Sequence, residues 1–195
     1  MKSAFSRKSH NPVILLVDGC SASGKSSFKK ALMEDGRFSF SYVKRYTTRA
    51  PRPDDADNDD YYFVSAPDFE KMIKLGQLAE YRHYLFGMAY GLKRDEIVEA
   101  AAGGKNVLGL MNLGAIGMVR NSLPEAVAVI IDAPLNAIES RLRARGYHSE
   151  EQIEERLDNA RSVQNFKNEY DFICSNEDGK FEQAYNSLVA YLEGL

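Results

Sequence analysis

The chain has 195 residues, 44% of them apolar and 27% charged, and a formal net charge of −3; this suits one domain with a substantial core and argues against a uniformly basic nucleic-acid surface, while leaving room for a local basic cleft. The longest apolar runs, Val13–Val17 and Ala126–Ile131, have strand length and fall well short of the roughly 18–20 residues of a membrane span. The two cysteines, Cys20 and Cys174, have no metal-ligand spacing and fit a reduced, cytoplasmic setting, and the charged opening stretch lacks the apolar core of a signal peptide.

Val13–Asp18, bounded by Pro12 and Gly19, reads as a buried central strand. A helical pattern runs from Lys25 to about Glu34, and Ser39–Tyr46 alternates enough to predict a second strand. Thr47–Asp60 is too rich in proline, aspartate and asparagine for regular structure, and Tyr61–Val64 resumes as a strand. Ser65-Ala66-Pro67-Asp68 opens a helix that ends at Gly76, with proline in its first turn and acid at the positive end of its dipole. Leu78–Tyr84 and Met88–Gly91 predict short strands, and Arg94–Ala102 a helix stopped by Gly103-Gly104. Val107–Met111 and Val127–Ile131 are further apolar strands, with a short helix around Ala115–Arg120 between them. Pro134–Arg145 is a predicted helix capped by Asp132 and ended by Gly146. Ser149 to Gln152 form a capping box for a long helix toward Lys167; Tyr170–Cys174 is the last strand and Phe181–Leu192 the last helix.

Strands alternating with helices imply an α/β fold of three layers, a parallel sheet covered on both faces. The stretch from about 45 to 92 breaks the rhythm and reads as a β-rich insert that closes over a substrate.

Gly19–Ser26, GCSASGKS, fits the pattern G-x-x-x-x-G-K-[ST] and lies between a predicted strand and a predicted helix. Glycines let the backbone curl so that successive N–H groups face phosphate oxygens, and the helix adds its positive end. Gly19, Ser21, Ala22, Ser23, Gly24, Lys25, Ser26 and Ser27 are therefore candidate contacts for ATP. Lys25 supplies a cation for the β and γ phosphates, and the Ser26 hydroxyl is a candidate ligand for Mg²⁺. A plain Gly/Ser turn before a helix would not need the strand, spacing, lysine and serine together.

Arg45, Arg49 and Arg52 fall in one short stretch, with Tyr46, Tyr61 and Tyr62 nearby. Arginine forks and tyrosine hydroxyls suit a phosphate monoester; on composition alone a solvated polar loop fits equally well.

Here the chain resembles the guanylate kinase family. The resemblance is carried by Thr47-Thr48-Arg49, Pro51-Arg52, the acidic turn Asp54-Asp55, Tyr61-Tyr62-Phe63-Val64, Glu80-Tyr81 and Tyr90-Gly91. It continues through Arg141–Gly146, Glu155-Arg156-Leu157 and Asn176, and runs from about Val13 to Leu192. It implies a single P-loop NTPase domain over 1–195: a core of about 11–44, 93–140 and 169–195, a nucleoside-monophosphate-binding insert of about 45–92, and a helical lid of about 141–168. By the same resemblance Arg49, Arg52 and Tyr61 would grip the acceptor phosphate with help from Tyr90, and Glu80 would face the acceptor's base. Arg141, Arg145 and Arg156 would reach the transferring phosphates from the lid, and Asn176 would lie at the ATP site. Phosphoryl transfer needs such cations, because its transition state spreads negative charge over oxygens.

The acceptor pocket departs from the family pattern. Arg45 stands where a small hydroxyl residue is usual, Asp54-Asp55 where Gly-Glu is usual, and Leu92 where Ser or Thr is usual. The strand Val107–Met111 lacks the family's aspartates, leaving Asn112 as the polar side chain near that spot. Such losses predict a penalty against guanine. Arg45-Tyr46-Thr47-Thr48-Arg49 and Tyr90-Gly91-Leu92 are also similar to ribose 1,5-bisphosphate phosphokinases, and an added arginine suits a phosphate-rich acceptor. Without the aspartates, Mg²⁺ would rest on Ser26, phosphates and water. Three readings stay open: a nucleoside monophosphate kinase with GMP the first candidate, a sugar-phosphate kinase, and a non-catalytic binding module, which the intact Lys25 and Ser26 disfavour. In each enzyme reading the partner is a small phosphorylated molecule, without nucleic acid or membrane, for a monomer or homodimer.

Overall fold

In the computed structural model, residues 11–51, 55, 59–84, 87–146 and 149–195 are described. In chain order they form β1 (Ile14–Asp18), α1 (Lys25–Glu34), β2 (Phe40–Val43), β3 (Arg45–Thr47), β4 (Tyr61–Phe63), α2 (Ala66–Lys74), β5 (Leu78–His83) and β6 (Ala89–Lys93). There follow α3 (Arg94–Ala102), β7 (Asn106–Leu110), α4 (Ile116–Ser122), β8 (Val127–Asp132), α5 (Leu135–Ala144), α6 (Glu150–Ser162), β9 (Phe172–Ser175) and α7 (Phe181–Glu193).

Five strands make an all-parallel sheet in the order β2-β7-β1-β8-β9. Its central strands are apolar on both faces because both faces are covered by helices. Leu15, Val17, Leu108, Val129 and Ile131 point to one side, where Phe28 and Leu32 of α1 and Leu188 and Val189 of α7 pack. Leu16, Val107, Ala128 and Ile130 point to the other, against Ile97 of α3, Val119 of α4, Ile138 of α5 and Leu157 of α6. Each fully buried leucine or isoleucine here stabilises the fold by roughly 1.5–3 kcal/mol. Among the described residues no helix is long and apolar enough to cross a membrane.

The strand expected over Ser39–Tyr46 is two strands in two different sheets, broken at Lys44. β2 extends the parallel sheet, while β3 belongs to a separate sheet ordered β4-β3-β6-β5. The helix expected to reach Lys167 ends at Ser162 and is followed by two single 3₁₀ turns, Val163–Asn165 and Lys167–Glu169. Its capping box is present: the Gln152 amide N–H donates to Ser149 Oγ, and the Gln152 side chain accepts from Ser149 N–H. Asp132 does not cap the helix after it. Pro134 is the N-cap of α5 and no side-chain bond closes that end, while Asp132 pairs with Lys167 at 3.5 Å.

Register decides what the second sheet presents. Arg45 lies opposite Tyr61 on one side and Leu92 on the other, and Leu92 lies opposite Glu80. Thr47, Tyr90 and Arg82 form the next row. Paired residues and their i±2 neighbours share a face, so Arg45, Tyr61, Tyr90, Glu80 and Arg82 point one way. Tyr46 and Tyr62, with ring centroids 4.9 Å apart, point the other way, as do Tyr81 and His83 at 6.0 Å.

Candidate active site

The loop between β1 and α1 sits at the carboxyl edge of the parallel sheet, where neighbouring connections leave room for a ligand. Gly24 is the N-cap of α1 with φ +107°, and a Cβ there would overlap the Asn176 amide, which donates to Ser23 C=O at 2.7 Å. At Gly19, φ +149°, a Cβ would lie 2.5 Å from Ser23 Oγ and 2.6 Å from Ile131 C=O. Both positions thus need glycine, for conformation and for space. Lys25 is curled back onto its own loop: its ammonium donates to Gly19 C=O and, at 3.1 Å, to Cys20 C=O. Burial lowers the Lys25 pKa to about 8, against the attraction of Asp18.

Above the loop opens a cavity of about 260 Å³. Gly19, Cys20, Ser21 and Lys25 form its floor, and Arg45, Tyr61 and Tyr90 of the second sheet, with Tyr84 just after β5, form one wall. Met111, Asn112 and Leu113, which follow β7, close the back. Arg145 at the end of α5, with Gln152, Glu155, Arg156 and Asn159 of α6, form the opposite wall. Lys25, Arg45, Arg145 and Arg156 therefore surround one space, with Glu155 the carboxylate among its described lining residues. Arg45 Nη2 donates to Tyr61 Oη at 2.5 Å, and its guanidinium lies 4.9 Å from the Tyr61 ring centre and 5.6 Å from that of Tyr90. The Nε atoms of Arg45 and Arg156 are both buried without a hydrogen-bond partner among the described residues. Buried donors of this kind are costly unless something satisfies them, and here both belong to side chains lining the same cavity.

On the same face as Arg45, Glu80 has no exposed surface. Its carboxylate accepts from Asn112 Nδ2 at 2.9 and 3.2 Å and from Asn112 N–H at 3.4 Å. Asn112 Nδ2 also donates to Tyr90 C=O at 2.9 Å, and its Oδ1 accepts from the Tyr84 hydroxyl at 3.2 Å. Burial pushes the Glu80 pKa up to about 7; Asn112 and the charge on Arg45 pull the other way. Asn112 lines the cavity, and Glu80, expected to face the acceptor's base, is bonded to Asn112 in this structure.

The other expected residues divide. Tyr61, Tyr90, Arg45, Arg145, Arg156, Lys25, Ser21 and Gly19 meet at the cavity. Arg49 is buried against Asp55, donating to both of its oxygens at 2.8 Å, with its guanidinium 5.0 Å from the Tyr61 ring centre. Arg52 and Asp54 lie outside the described residues. Arg141 does not reach the cavity: it donates to the carbonyls of Ala22 and Asn176 at 3.1 Å and to Asp178 at 2.6 and 3.0 Å, gripping the phosphate loop from behind. Ala22, Ser23 and Gly24 complete that loop, and Ser26 and Ser27 open onto a second cavity of about 630 Å³ beside Lys29 and Asp60. The Ser26 hydroxyl lies in the exposed first turn of α1, and among the described residues no group of three or more His, Cys, Asp or Glu could hold a metal. Leu92 belongs to the hydrophobic core, between Arg45 and Glu80 in register, and is not among the residues lining the cavity.

Sequence reasoning missed Asp18, Arg82, Tyr84 and the structural part played by Asn112. Asp18 ends an otherwise apolar strand with 0% exposure, and burial pushes its pKa up. A charge at the end of a fully buried run was the available signal. Tyr84 and Arg82 gave none, because only tertiary packing puts Tyr84 at the cavity and Arg82 on the Leu113 carbonyl.

The protein-family model described as Guanylate kinase matches residues 9–195. Among curated proteins, the guanylate kinase of Lactobacillus delbrueckii subsp. bulgaricus is 34% identical over 166 residues, covering 85% of this chain and 81% of the relative. That of Streptococcus thermophilus is 32% identical over 171 residues, covering 87% and 81%. Among solved structures, guanylate kinase from Anaplasma phagocytophilum shares the fold with a TM-score of 0.69 at 20% identity, covering 94% of this chain and 85% of that one.

Proposed function

We infer the activity from one premise: the chain belongs to the guanylate kinase family. It is an ATP-dependent phosphotransferase that converts GMP to GDP. The observation that carries this reading is the convergence of Lys25, Arg45, Arg145 and Arg156 on one cavity between a glycine-shaped phosphate loop and the second sheet.

The residues divide the work by position. The loop amides and Lys25 would bind the donor's β and γ phosphates, and the Lys25 ammonium would exchange the carbonyls of Gly19 and Cys20 for phosphate oxygens. Tyr61 and Arg45 would hold the acceptor phosphate from the sheet side, with Arg49, fixed by Asp55, supporting the Tyr61 ring. Arg145 and Arg156 would neutralise charge on the group in transit from the opposite wall. No side chain needs to act as nucleophile; placement and neutralisation do most of the catalysis. An exposed first-turn hydroxyl, with no carboxylate cluster among the described residues, fits a Mg²⁺ that would be held by Ser26 together with phosphate and water oxygens. When bound, that ion supplies further positive charge at the transferring oxygens. Segments 45–92 and 141–168, the insert and the lid of this reading, would shield the space from water.

A coupled ADP-release assay on the purified chain tests the reading, with GMP, dGMP, AMP, UMP, CMP and ribose 1,5-bisphosphate as acceptors. GMP is expected to exceed AMP, UMP and CMP by at least ~100-fold in kcat/KM. Turnover confined to the sugar phosphate, or absent throughout, would contradict it.

A further inference from the structure

We propose that Asp18 is a positioning residue for phosphoryl transfer, whose carboxylate locks the start of the phosphate loop to the turn behind the acceptor wall and to the chain that leaves α6. The proposal rests on the transfer reaction inferred above, but it concerns a side chain that touches neither substrate.

Asp18 Oδ1 accepts from Gly19 N–H at 2.5 Å. Its Oδ2 accepts from Gly114 N–H at 3.1 Å and from the Tyr170 hydroxyl. A carboxylate with 0% exposure survives only with such donors around it, and the Lys25 ammonium adds attraction. The three donors belong to three parts of the site. Gly19 opens the phosphate loop. Tyr170 lies where the chain returns from α6 toward β9. Gly114 lies within the turn Asn112–Ala115, closed by Ala115 N–H to Asn112 C=O at 3.1 Å, and the turn is bound to the second sheet and the residue after it through Asn112 to Glu80, Tyr84 and Tyr90, and Leu113 C=O to Arg82. Arg82 reaches on toward Asn159 of α6 at 3.5 Å. Beside the β1–β7 ladder, this carboxylate and this turn thus join the donor loop to the acceptor wall. In-line transfer is sensitive to displacements of about 1 Å, so loosening the junction should be felt at the chemical step.

Asn at position 18 keeps the size but offers one acceptor oxygen and places an NH₂ donor against remaining donors. Tyr170→Phe removes a single hydroxyl and keeps the ring beside Phe166. The experiment compares the full chain, D18N, Y170F and the double variant by steady-state kinetics, affinity for a non-hydrolysable ATP analogue, and thermal melting. D18N is expected to lower kcat by ~100-fold and analogue affinity by ~10-fold while KM for GMP stays within ~3-fold; Y170F should lower kcat by ~3–10-fold. The double variant should be no slower than D18N, because Tyr170 acts through that carboxylate. A folded D18N with kcat within ~2-fold of the parent, or kcat and both substrate affinities falling only in step with melting temperature, would overturn the proposal. So would a Y170F effect that multiplies fully in the D18N background. If D18N does not fold, an unchanged kcat in Y170F overturns it. If the parent phosphorylates no monophosphate, the activity reading fails separately, and unchanged analogue affinity in D18N overturns the role given to Asp18.

Discussion

The two ends of the cavity are built in opposite ways. The donor end is backbone: a loop whose shape depends on glycine at positions 19 and 24, with Lys25 resting on the loop's own carbonyls. The acceptor end is side chains: Arg45 over tyrosine rings, Glu80 bonded to Asn112, Arg49 clasped by Asp55. A backbone cradle recognises any polyphosphate tail, because amides read charge and oxygen geometry. A side-chain wall can read one acceptor against another, because buried donors left unmatched are penalised. Generic recognition and selective recognition are therefore physically separate here, and substitutions should divide along the same line.

The largest expected effect breaks the donor end. Lys25→Ala should lower kcat by ~10³-fold or more with a much smaller effect on melting temperature, since the hydrogen bonds of its ammonium go to the loop's own carbonyls and its charge is spent on transfer. Retained turnover, or a chain that unfolds, would remove Lys25 from the role given to it. Next comes Gly24→Ala, which forces a left-handed φ on alanine and displaces the Asn176 amide. Calorimetry should show ATP binding weakened ~10-fold or more, with a lowered melting temperature, because the added carbon is felt by the whole loop. Affinity equal to the parent would mean that the cradle tolerates a different shape. Arg45→Met is the acceptor-side counterpart: KM for GMP should rise ~10–100-fold while KM for ATP changes less than ~3-fold. Equal changes in both would erase the division between the ends.

The smallest effect is a pH dependence at the acceptor end. The Glu80 pKa is about 7 in the fold, above the 4.5 of an ordinary glutamate. A carboxyl raised on folding contributes stability that is fully present below 4.5 and lost as the pH climbs through 7. Glu80→Gln keeps an acceptor for Asn112 and removes that titration. Its melting temperature should therefore gain on the parent between pH 5 and pH 7.5, measured by differential scanning calorimetry; a constant difference across that range would show that Glu80 ionises normally.

The same contrast explains what was legible in the sequence. The strand, loop and helix from Ile14 to Glu34 were readable because local chemistry dictates them: an apolar run, glycines at the bends, a lysine at a fixed spacing. Capping residues Ser65 and Ser149 were equally local. The acceptor wall was not readable in that way, because it is made by register between distant strands. Nothing near Glu80 announces that Asn112, contributed by the segment after β7, will bond to it. Arg141 and Arg145 stand four residues apart on one helix pattern, yet one grips the back of the loop and the other lines the cavity. The break at Lys44, which sends β2 and β3 into different sheets, depends on tertiary partners that the alternation of Ser39–Tyr46 does not encode.

Phosphorus NMR on the purified chain with ATP, Mg²⁺ and GMP tests the central claim most directly, because it follows the transferred group itself. The β-phosphate resonances of ADP and GDP should grow together in equal amounts, and Lys25→Ala should suppress both. Inorganic phosphate appearing in place of GDP, or a spectrum that does not change, would contradict transfer from the glycine-built end of the cavity to the arginine–tyrosine end.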